Sequence, residues 1–319
     1  EVAMSETAVI AITGAAGFIG SAFARRMRSR GEPVRRFVRQ RVESDADADV
    51  VAIDLARADV NELAHQLDGV DAVIHLAGRA HAMNESERDA DATYRSANVD
   101  VTERLALAAV AAGVRQFVFA STVKVNGEST QRGVPFHPGD APAPRDAYAR
   151  SKLAAERTLA HVASGTSMHA TNLRLPLVYG PGARGNFRRL VDAVAARRFL
   201  PLGAIDNRRS LLGLDNLLDA LDAAIASRNP AVGTYFVADA DSVATSDLVR
   251  AIASALNVAP RLVPIPVAAL RLAGAWFGRK AAVARLTESL EVDTASFASA
   301  TGWRPRAFAI DAATVARTR

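Results

Sequence analysis

Short apolar segments alternate with alanine-rich helical stretches along the first 175 residues, and this alternation limits the possible folds more than any other feature. The apolar segments cover residues 8–13, 49–54, 71–78, 116–122 and 169–175, and a further strand, the second in chain order, is predicted at 34–38. The helical stretches lie near 17–30, 59–67, 93–112 and 148–163. Strands that are apolar throughout are buried on both faces, and intervening helices make neighbouring strands parallel. The alternation therefore predicts an α/β fold in which helices cover both faces of a parallel sheet.

Three glycines, Gly14, Gly17 and Gly20, follow the first apolar segment and open the first helical stretch. A helix N-terminus presents unpaired N–H groups and a partial positive charge, so it can hold a pyrophosphate without a cation. Glycines are needed where a side chain would block the turn, the phosphate or the packing of helix on strand. The pattern predicts a dinucleotide site in a Rossmann-type doubly wound parallel sheet.

The end of the predicted second strand, 34–38, bears on the choice of coenzyme. An NAD(H) enzyme usually places a carboxylate there to bind the ribose hydroxyls, whereas this chain has Val38 followed by Arg39. An arginine attracts the 2′-phosphate that an acid would repel. Both coenzymes stay open, and NADP(H) is modestly favoured over NAD(H).

The alternation changes after residue 176. A loop-like segment precedes a helix predicted at about 186–198, and a later helix and strand, 214–239, are predicted to return to the sheet. Residues 1–175 plus about 205–240 should form the dinucleotide-binding domain. Residues 176–204 plus 241–319 should form a smaller α/β C-terminal lobe that binds the substrate.

Composition excludes several classes of protein. The formal net charge is +5, but arginines and acids are interspersed over most of the chain, so no nucleic-acid partner is expected. The absence of cysteine excludes disulfides and thiolate metal sites, and the six histidines lack zinc-site spacing, so no metal is predicted.

No apolar run is long enough to span a membrane, and the first residues do not resemble a secretory signal, which favours a cytoplasmic protein. The segment WFGRK, 276–280, could contact a membrane surface, but a core element of the small lobe is favoured.

Several motifs together resemble the extended short-chain dehydrogenase/reductase family, in its nucleotide-sugar epimerase/dehydratase group. They are TGAAGFIG at 13–20, Asp54-Leu55, HLAG at 75–78, Asn98, Ser121-Thr122 and Tyr148-x-x-x-Lys152. The resemblance covers nearly the whole chain and implies hydride transfer at C4 of a nucleoside-diphosphate hexose, UDP-linked, by a homodimer.

The resemblance also implies which residues form the site. The catalytic residues would be Tyr148, Lys152 and either Thr122 or its neighbour Ser121. The coenzyme is assigned Gly14, Gly17, Phe18, Ile19, Gly20, Arg39, Asp54, Leu55, Leu76, Ala77, Gly78, Asn98, Tyr148, Lys152, Leu175 and Val178. The substrate is assigned His81, Thr122, Asn126, Asn186, Phe187, Arg209 and Leu290.

The residue types suit hydride transfer at a sugar carbon, because a proton must leave or join the oxygen of that carbon at the same time. A tyrosine, whose ordinary pKa is about 10, is an adequate base only if that pKa is lowered. The ammonium of Lys152, one helical turn after Tyr148, and a cationic nicotinamide would favour the phenolate. Lys152 would also hold the nicotinamide ribose.

The segment after Thr122 reduces the number of reactions that the family resemblance allows. Related 4,6-dehydratases carry Asp-Glu there for water elimination, whereas this chain has Val123 and Lys124, so a dehydratase is disfavoured. A 4-epimerase and a 4-ketoreductase use the same catalytic residues and remain nearly even, with a slight preference for the ketoreductase from Arg39. A non-catalytic dinucleotide-binding regulator is a distant alternative.

Overall fold

The fold is described from a computed structural model, which describes residues 8–41, 48–80, 87–226 and 230–318. Its strands are β1 (Val9–Thr13), β2 (Val34–Val38), β3 (Val50–Ala52), β4 (Val70–His75), β5 (Gln116–Thr122), β6 (His169–Leu175), β7 (Leu177–Tyr179), β8 (Leu211–Gly213) and β9 (Gly233–Phe236). Seven of them form one parallel sheet in the order β3-β2-β1-β4-β5-β6-β9. The strand order reverses between β1 and β4, and in such sheets ligands bind at that point beyond the carboxyl ends of the strands.

The helices are α1 (Phe18–Ser29), α2 (Val60–Gln66), α3 (Glu87–Tyr94), α4 (Val101–Ala111), α5 (Ala147–Ala163), α6 (Gly185–Ala195), α7 (Leu214–Ala226), α8 (Thr245–Ala255), α9 (Val267–Trp276), α10 (Lys280–Thr287), α11 (Ala295–Thr301) and α12 (Ala312–Ala316). The single helix predicted at 93–112 is instead the end of α3, a π-helical segment Arg95–Asp100 and α4. Such wide turns often occur at functional sites, and this one carries Asn98.

Helices cover both faces of the large sheet, as the alternation predicts. Ile10 and Ile12 of β1 belong to an apolar cluster with α1 and α7, while Ala11 between them belongs to a second cluster with α2, α4 and α5. Successive strand residues point to opposite faces, so a strand must be apolar throughout when both faces are covered. The Rossmann-type α/β prediction is confirmed.

Several of the remaining elements pack against one another outside the large sheet. Strands β7 and β8 pair in a separate two-stranded parallel sheet, and α6 and α8 share an apolar cluster that contains Phe187, Val191 and Ile252. The helix and strand predicted at 214–239 are α7 and β9, and β9 pairs with β6 as expected. The boundaries of the two proposed lobes stay predictions.

The prediction that residues 276–280 form a core element is wrong. Trp276 is 84% exposed and Phe277 is 74% exposed. Gly274 is the buried residue of α9, and it lies against Val283 of α10. Because a glycine allows this close approach, the large apolar side chains of α9 stay outside the contact between the two helices. In the described parts of the chain, none of the helices is long and apolar enough to cross a membrane.

Candidate active site

The turn between β1 and α1, residues 14–20 and here called the phosphate turn, has the geometry of a pyrophosphate site. Gly14 has a φ of +67°, and a Cβ there would lie 2.8 Å from the Ala77 nitrogen. A Cβ on Gly20 would lie 2.9 Å from the Ala15 Cα. Helix α1 has neither a side-chain cap nor an acid in its first turn. Its N–H groups, from Phe18, Ile19 and Gly20, are therefore left to an anion.

The loop after β4 lies beside this turn and is fixed by Asn98. The Asn98 Oδ1 accepts a hydrogen bond from the Arg79 backbone N–H (2.8 Å), and its Nδ2 donates to the Arg79 carbonyl (3.1 Å) and to the Ser151 Oγ (2.9 Å). A Cβ on Gly78 would lie 3.0 Å from the Asn98 Oδ1 and 3.7 Å from the Lys152 Nζ. Asn98 thus joins this loop to α5. A role in holding the coenzyme through the loop stays a prediction.

The predicted coenzyme residues lie at the carboxyl edge of the sheet. Leu76 and Ala77 are half-buried in the loop after β4, and Asp54 and Leu55 are half-buried after β3. Arg39 is exposed at the end of β2. Leu175 is buried at the end of β6, and Val178 is half-buried in β7. The structure brings these residues to one edge, as the motif spacing predicts.

Tyr148 lies in the first turn of α5 and lines the cavity described below. The Asp146 Oδ1 accepts a hydrogen bond from the Ala149 N–H at 2.7 Å and caps the helix. Its Oδ2 accepts one from the Lys124 Nζ at 2.6 Å. Burial opposes ionisation of Asp146, but the bonds from Lys124 and Ala149 outweigh it and lower the pKa of the carboxyl. This capped turn fixes the position of the phenol.

The protein's own groups raise the pKa of Tyr148 to about 12, against the expectation of a lowered value. Burial is the main cause, and Asp146 and Tyr94 add to it. The Tyr94 and Tyr148 rings lie 5.9 Å apart. A phenolate at neutral pH therefore requires additional positive charge close to the phenol.

Lys152 is buried, with its Nζ 4.0 Å from the centre of the Phe119 ring. Burial lowers the pKa of Lys152 to about 7, although the Glu156 carboxylate one turn later raises it. The ammonium is therefore partly neutral near pH 7 in the protein alone. An anion or an electron-rich hydroxyl beside it would favour the charged form.

Two neighbouring residues at the end of β5 have different environments. Thr122 lines the cavity, and its Oγ1 accepts a weak hydrogen bond from the Lys124 N–H at 3.3 Å. Ser121 is buried and donates its hydroxyl hydrogen to Glu156. Of these two candidates, the structure therefore places Thr122 where a sugar hydroxyl could reach it.

Beneath the catalytic helix lies a buried ion pair that the sequence interpretation missed. The Arg174 Nε and Nη2 donate to the Glu156 Oε1 (3.0 Å) and Oε2 (2.6 Å). The Arg174 Nη1 donates to the Asn126 Oδ1 at 2.7 Å. The sequence does indicate a buried acid at this position, because Glu156 follows Lys152 by one helical turn and therefore lies on the same face of α5.

A cavity of about 910 Å³ opens beside Tyr148 and Thr122. Its wall includes the predicted substrate residues Asn186, Phe187, Arg209 and Leu290. Further cationic side chains on the wall are those of Lys124, Arg189 and Arg285, and the acidic ones are those of Glu128 and Asp146.

Arg209 is held rigidly at this cavity. Its Nη1 donates to the Glu288 carbonyl at 2.9 Å, and its backbone is bridged to Leu290. Burial lowers the pKa of the guanidinium, while Glu288 and Glu128 oppose the shift. An arginine stays protonated in proteins, so this is a fixed positive charge on the cavity wall.

Two predicted substrate residues differ from the rest. Asn126 is buried against Arg174 and is not among the residues that line the cavity, so its position does not support contact with the sugar. The reason is that its side-chain oxygen serves the buried ion pair. His81 lies outside the described residues.

The family follows from comparison with known proteins. Residues 10–238 match the model of the NAD dependent epimerase/dehydratase family. The chain belongs to this family. It is 35% identical over 298 residues to a UDP-glucose 4-epimerase of Vibrio cholerae, covering 93% of this chain and 90% of that one. It is 30% identical to a dTDP-6-deoxy-L-talose 4-dehydrogenase (NAD(P)(+)) of Kitasatospora kifunensis, covering 69% and 70%.

Solved structures confirm the fold of this epimerase/dehydratase family member. A UDP-N-acetylglucosamine 4-epimerase from Bacillus cereus matches with a TM-score of 0.76 and 19% identity, over 98% of each chain. The predicted resemblance to the nucleotide-sugar epimerase/dehydratase group is thus confirmed, and so is a nicotinamide dinucleotide as coenzyme. The phosphate turn and the loop held by Asn98 fit that coenzyme. When bound, that coenzyme would supply hydride transfer chemistry at this site.

Proposed function

We propose that this protein is a 4-epimerase that interconverts UDP-hexoses differing at C4. The observation that carries the proposal is a single cavity lined both by Tyr148 and Thr122 and by the cations Arg209, Arg189 and Arg285, of which Arg209 is held in place. The first two residues suit proton transfer at a sugar hydroxyl. The cations suit a diphosphate, which arginine binds in a bidentate manner.

In this proposal Tyr148 takes the proton from the C4 hydroxyl while a hydride leaves C4, and it returns a proton when the ketone is reduced on its other face. Thr122 hydrogen-bonds the same sugar oxygen. The Tyr148 pKa of about 12 in the protein alone makes the phenolate scarce at neutral pH. The reaction therefore needs Lys152 in its charged form, which a neighbouring ribose hydroxyl and the Glu156 carboxylate both favour.

The preference for a ketoreductase from the sequence rested on the end of the second strand, where Val38 replaces the usual carboxylate and Arg39 follows. The similarity to a UDP-glucose 4-epimerase over nine-tenths of both chains now supports the epimerase instead. A UDP-sugar 4-ketoreductase stays the second candidate, because β2 ends in Val38 and the exposed Arg39, without the carboxylate that favours NAD(H). A homodimer through α4 and α5, and a cytoplasmic location, stay part of the proposal.

The test begins with the nucleotide that the purified protein releases on denaturation, since an epimerase must keep its coenzyme through the cycle. The protein is then incubated with UDP-glucose or UDP-galactose without added coenzyme, and the two C4 epimers are quantified by NMR. The proposal predicts tightly held NAD and approach to the same mixture from either side. Consumption of added NADPH with a UDP-4-keto-sugar, and no interconversion, would favour the ketoreductase. If the protein catalysed neither reaction, both candidate functions would be overturned.

A further inference from the structure

Helices α9 and α10, here called the α9–α10 hairpin, expose an apolar surface that nothing in the described chain covers. Leu272 is 70% exposed, Trp276 84% and Phe277 74%. Leu272 and Trp276 are four residues apart and therefore share one side of α9. Arg271 is the single charged residue among the ten of α9. A helix that is apolar around most of its circumference is ordinarily covered by another surface.

The other side of α9 is already occupied. Gly274 is buried against the Val283 side chain, and the Arg279 N–H donates to the Gly274 carbonyl at 2.7 Å, which closes the turn between the helices. The exposed side chains therefore lie outside a well-packed hairpin, where internal repacking cannot hide them.

The chain carries side-chain charge of only one sign from the middle of α8 to the end of the α9–α10 hairpin. Residues 251–287 contain five basic residues, Arg261, Arg271, Arg279, Lys280 and Arg285, and no acidic residue. The rest of the chain balances its 34 acidic residues with as many basic ones, so this segment carries the whole formal net charge of +5. Glu288 follows immediately and lies 3.9 Å from Arg271, which leaves the exposed Arg279 and Lys280 at the apolar end of the hairpin.

We infer that the α9–α10 hairpin docks on the surface of an anionic lipid bilayer. Tryptophan and phenylalanine side chains on an amphipathic element enter the interface between headgroups and acyl chains. Neighbouring lysines and arginines bind anionic headgroups. A second copy of the chain fits the surface less well, because a two-fold contact places each surface against itself and would bring these cations together.

Docking would also orient the substrate cavity. Helix α10 supplies Ala282, Arg285 and Leu286 to the cavity wall. The cavity would therefore lie next to the membrane surface. The inference does not depend on which reaction the cavity supports.

The experiment is flotation of the whole protein with vesicles. One set is phosphatidylcholine alone, and the other adds phosphatidylglycerol. We expect binding to the anionic vesicles only, weakened by salt. Arg279→Glu/Lys280→Glu should weaken it by at least about 25-fold, since each cation contributes roughly fivefold. Trp276→Ser/Phe277→Ser should weaken it at least about tenfold. The matched control is Arg25→Glu/Arg157→Glu, which changes two exposed arginines on α1 and α5 and should bind more tightly than the first variant.

Three results would overturn the inference. One is that the wild-type protein fails to bind anionic vesicles at low salt. Another is that both hairpin variants, with unchanged circular dichroism, bind as the wild type does. The third is that light scattering shows a wild-type dimer which Trp276→Ser/Phe277→Ser converts to a monomer, because the surface would then pair with a second copy. Turnover of soluble nucleotide-sugars should be unchanged in the Trp276→Ser/Phe277→Ser variant.

Discussion

Replacing Glu156 by glutamine should destabilise the protein by about 3–5 kcal/mol, because it leaves the Arg174 charge buried without its partner. The two side chains are 4% and 5% exposed. The guanidinium donates to both carboxylate oxygens, at 3.0 and 2.6 Å, and Ser121 donates to the same carboxylate. Glutamine keeps the volume of the side chain, so the loss reflects charge and hydrogen bonding and includes little cavity formation.

A double variant distinguishes the loss of the whole ion pair from the loss of one of its two charges. Glu156→Leu/Arg174→Met removes both charges. We expect its loss of stability to be several kcal/mol smaller than the summed losses of the single variants Glu156→Leu and Arg174→Met. Urea unfolding, followed by the fluorescence of the buried Trp303, measures the free energy of unfolding. The matched control is Asp91→Asn, which breaks an exposed 2.8 Å pair with Arg150 and should cost about 1 kcal/mol or less.

The reasoning would be refuted if Glu156→Gln cost no more than Asp91→Asn, or if the losses of the single variants simply added. A second readout concerns Lys152, whose pKa Glu156 raises. In Glu156→Gln the pKa of Lys152 should fall below its value of about 7, so activity at neutral pH should fall even in the fraction that stays folded.

Three further predictions use the same structure. Gly20→Ala places a methyl inside van der Waals contact with the phosphate turn, and equilibrium dialysis should show coenzyme affinity lowered at least about tenfold, while Gly139→Ala, which meets no atom within 4 Å, leaves it unchanged. Burial lowers the pKa of Lys152 from 10.5 to about 7, so the unfolded state holds more protons in between. The free energy of unfolding of the coenzyme-free protein should therefore rise from pH 7 to pH 10.5 by up to about 5 kcal/mol, and Lys152→Met should remove that rise. Arg209→Leu should raise KM for the UDP-sugar at least about tenfold, whereas Arg208→Leu, outside the cavity wall, should not; equal effects would count against a phosphate contact.

Features set by local sequence could be predicted. Strand β1 and the phosphate turn follow from adjacent residues, namely an apolar run, then Gly14 and Gly20 at positions where a side chain would clash with backbone. The predicted and observed bounds of β2, β5 and β6 also agree, since each is a short segment rich in apolar or β-branched residues between two helices.

Features set by distant contacts could not be predicted. The π-helical turn at Asn98 depends on a loop 19 residues earlier and on Ser151 of α5. The role of Asn126 depends on Arg174, which β6 brings beside it. Trp276 was predicted to be a core residue because it lies in a largely apolar segment. The glycine contact within the α9–α10 hairpin leaves its side chain outside the contact between the two helices.

The Tyr148 pKa shows why a motif alone does not give electrostatics. A lysine one turn after a tyrosine predicts a lowered pKa when both groups are solvated. In the structure, burial raises the pKa of Tyr148 and lowers the pKa of Lys152, so each is shifted towards its neutral form. The degree of burial depends on the whole fold and cannot be inferred from the spacing.

The central claim is that Tyr148 carries the C4 hydroxyl proton during hydride transfer. The most direct test loads wild-type and Tyr148→Phe proteins with NAD, adds UDP-glucose, and follows the appearance of reduced nicotinamide by absorbance in a single turnover. The account predicts a rate at least about 100-fold lower in Tyr148→Phe, with unchanged affinity for NAD and UDP. Reduction at the wild-type rate in that variant would contradict it.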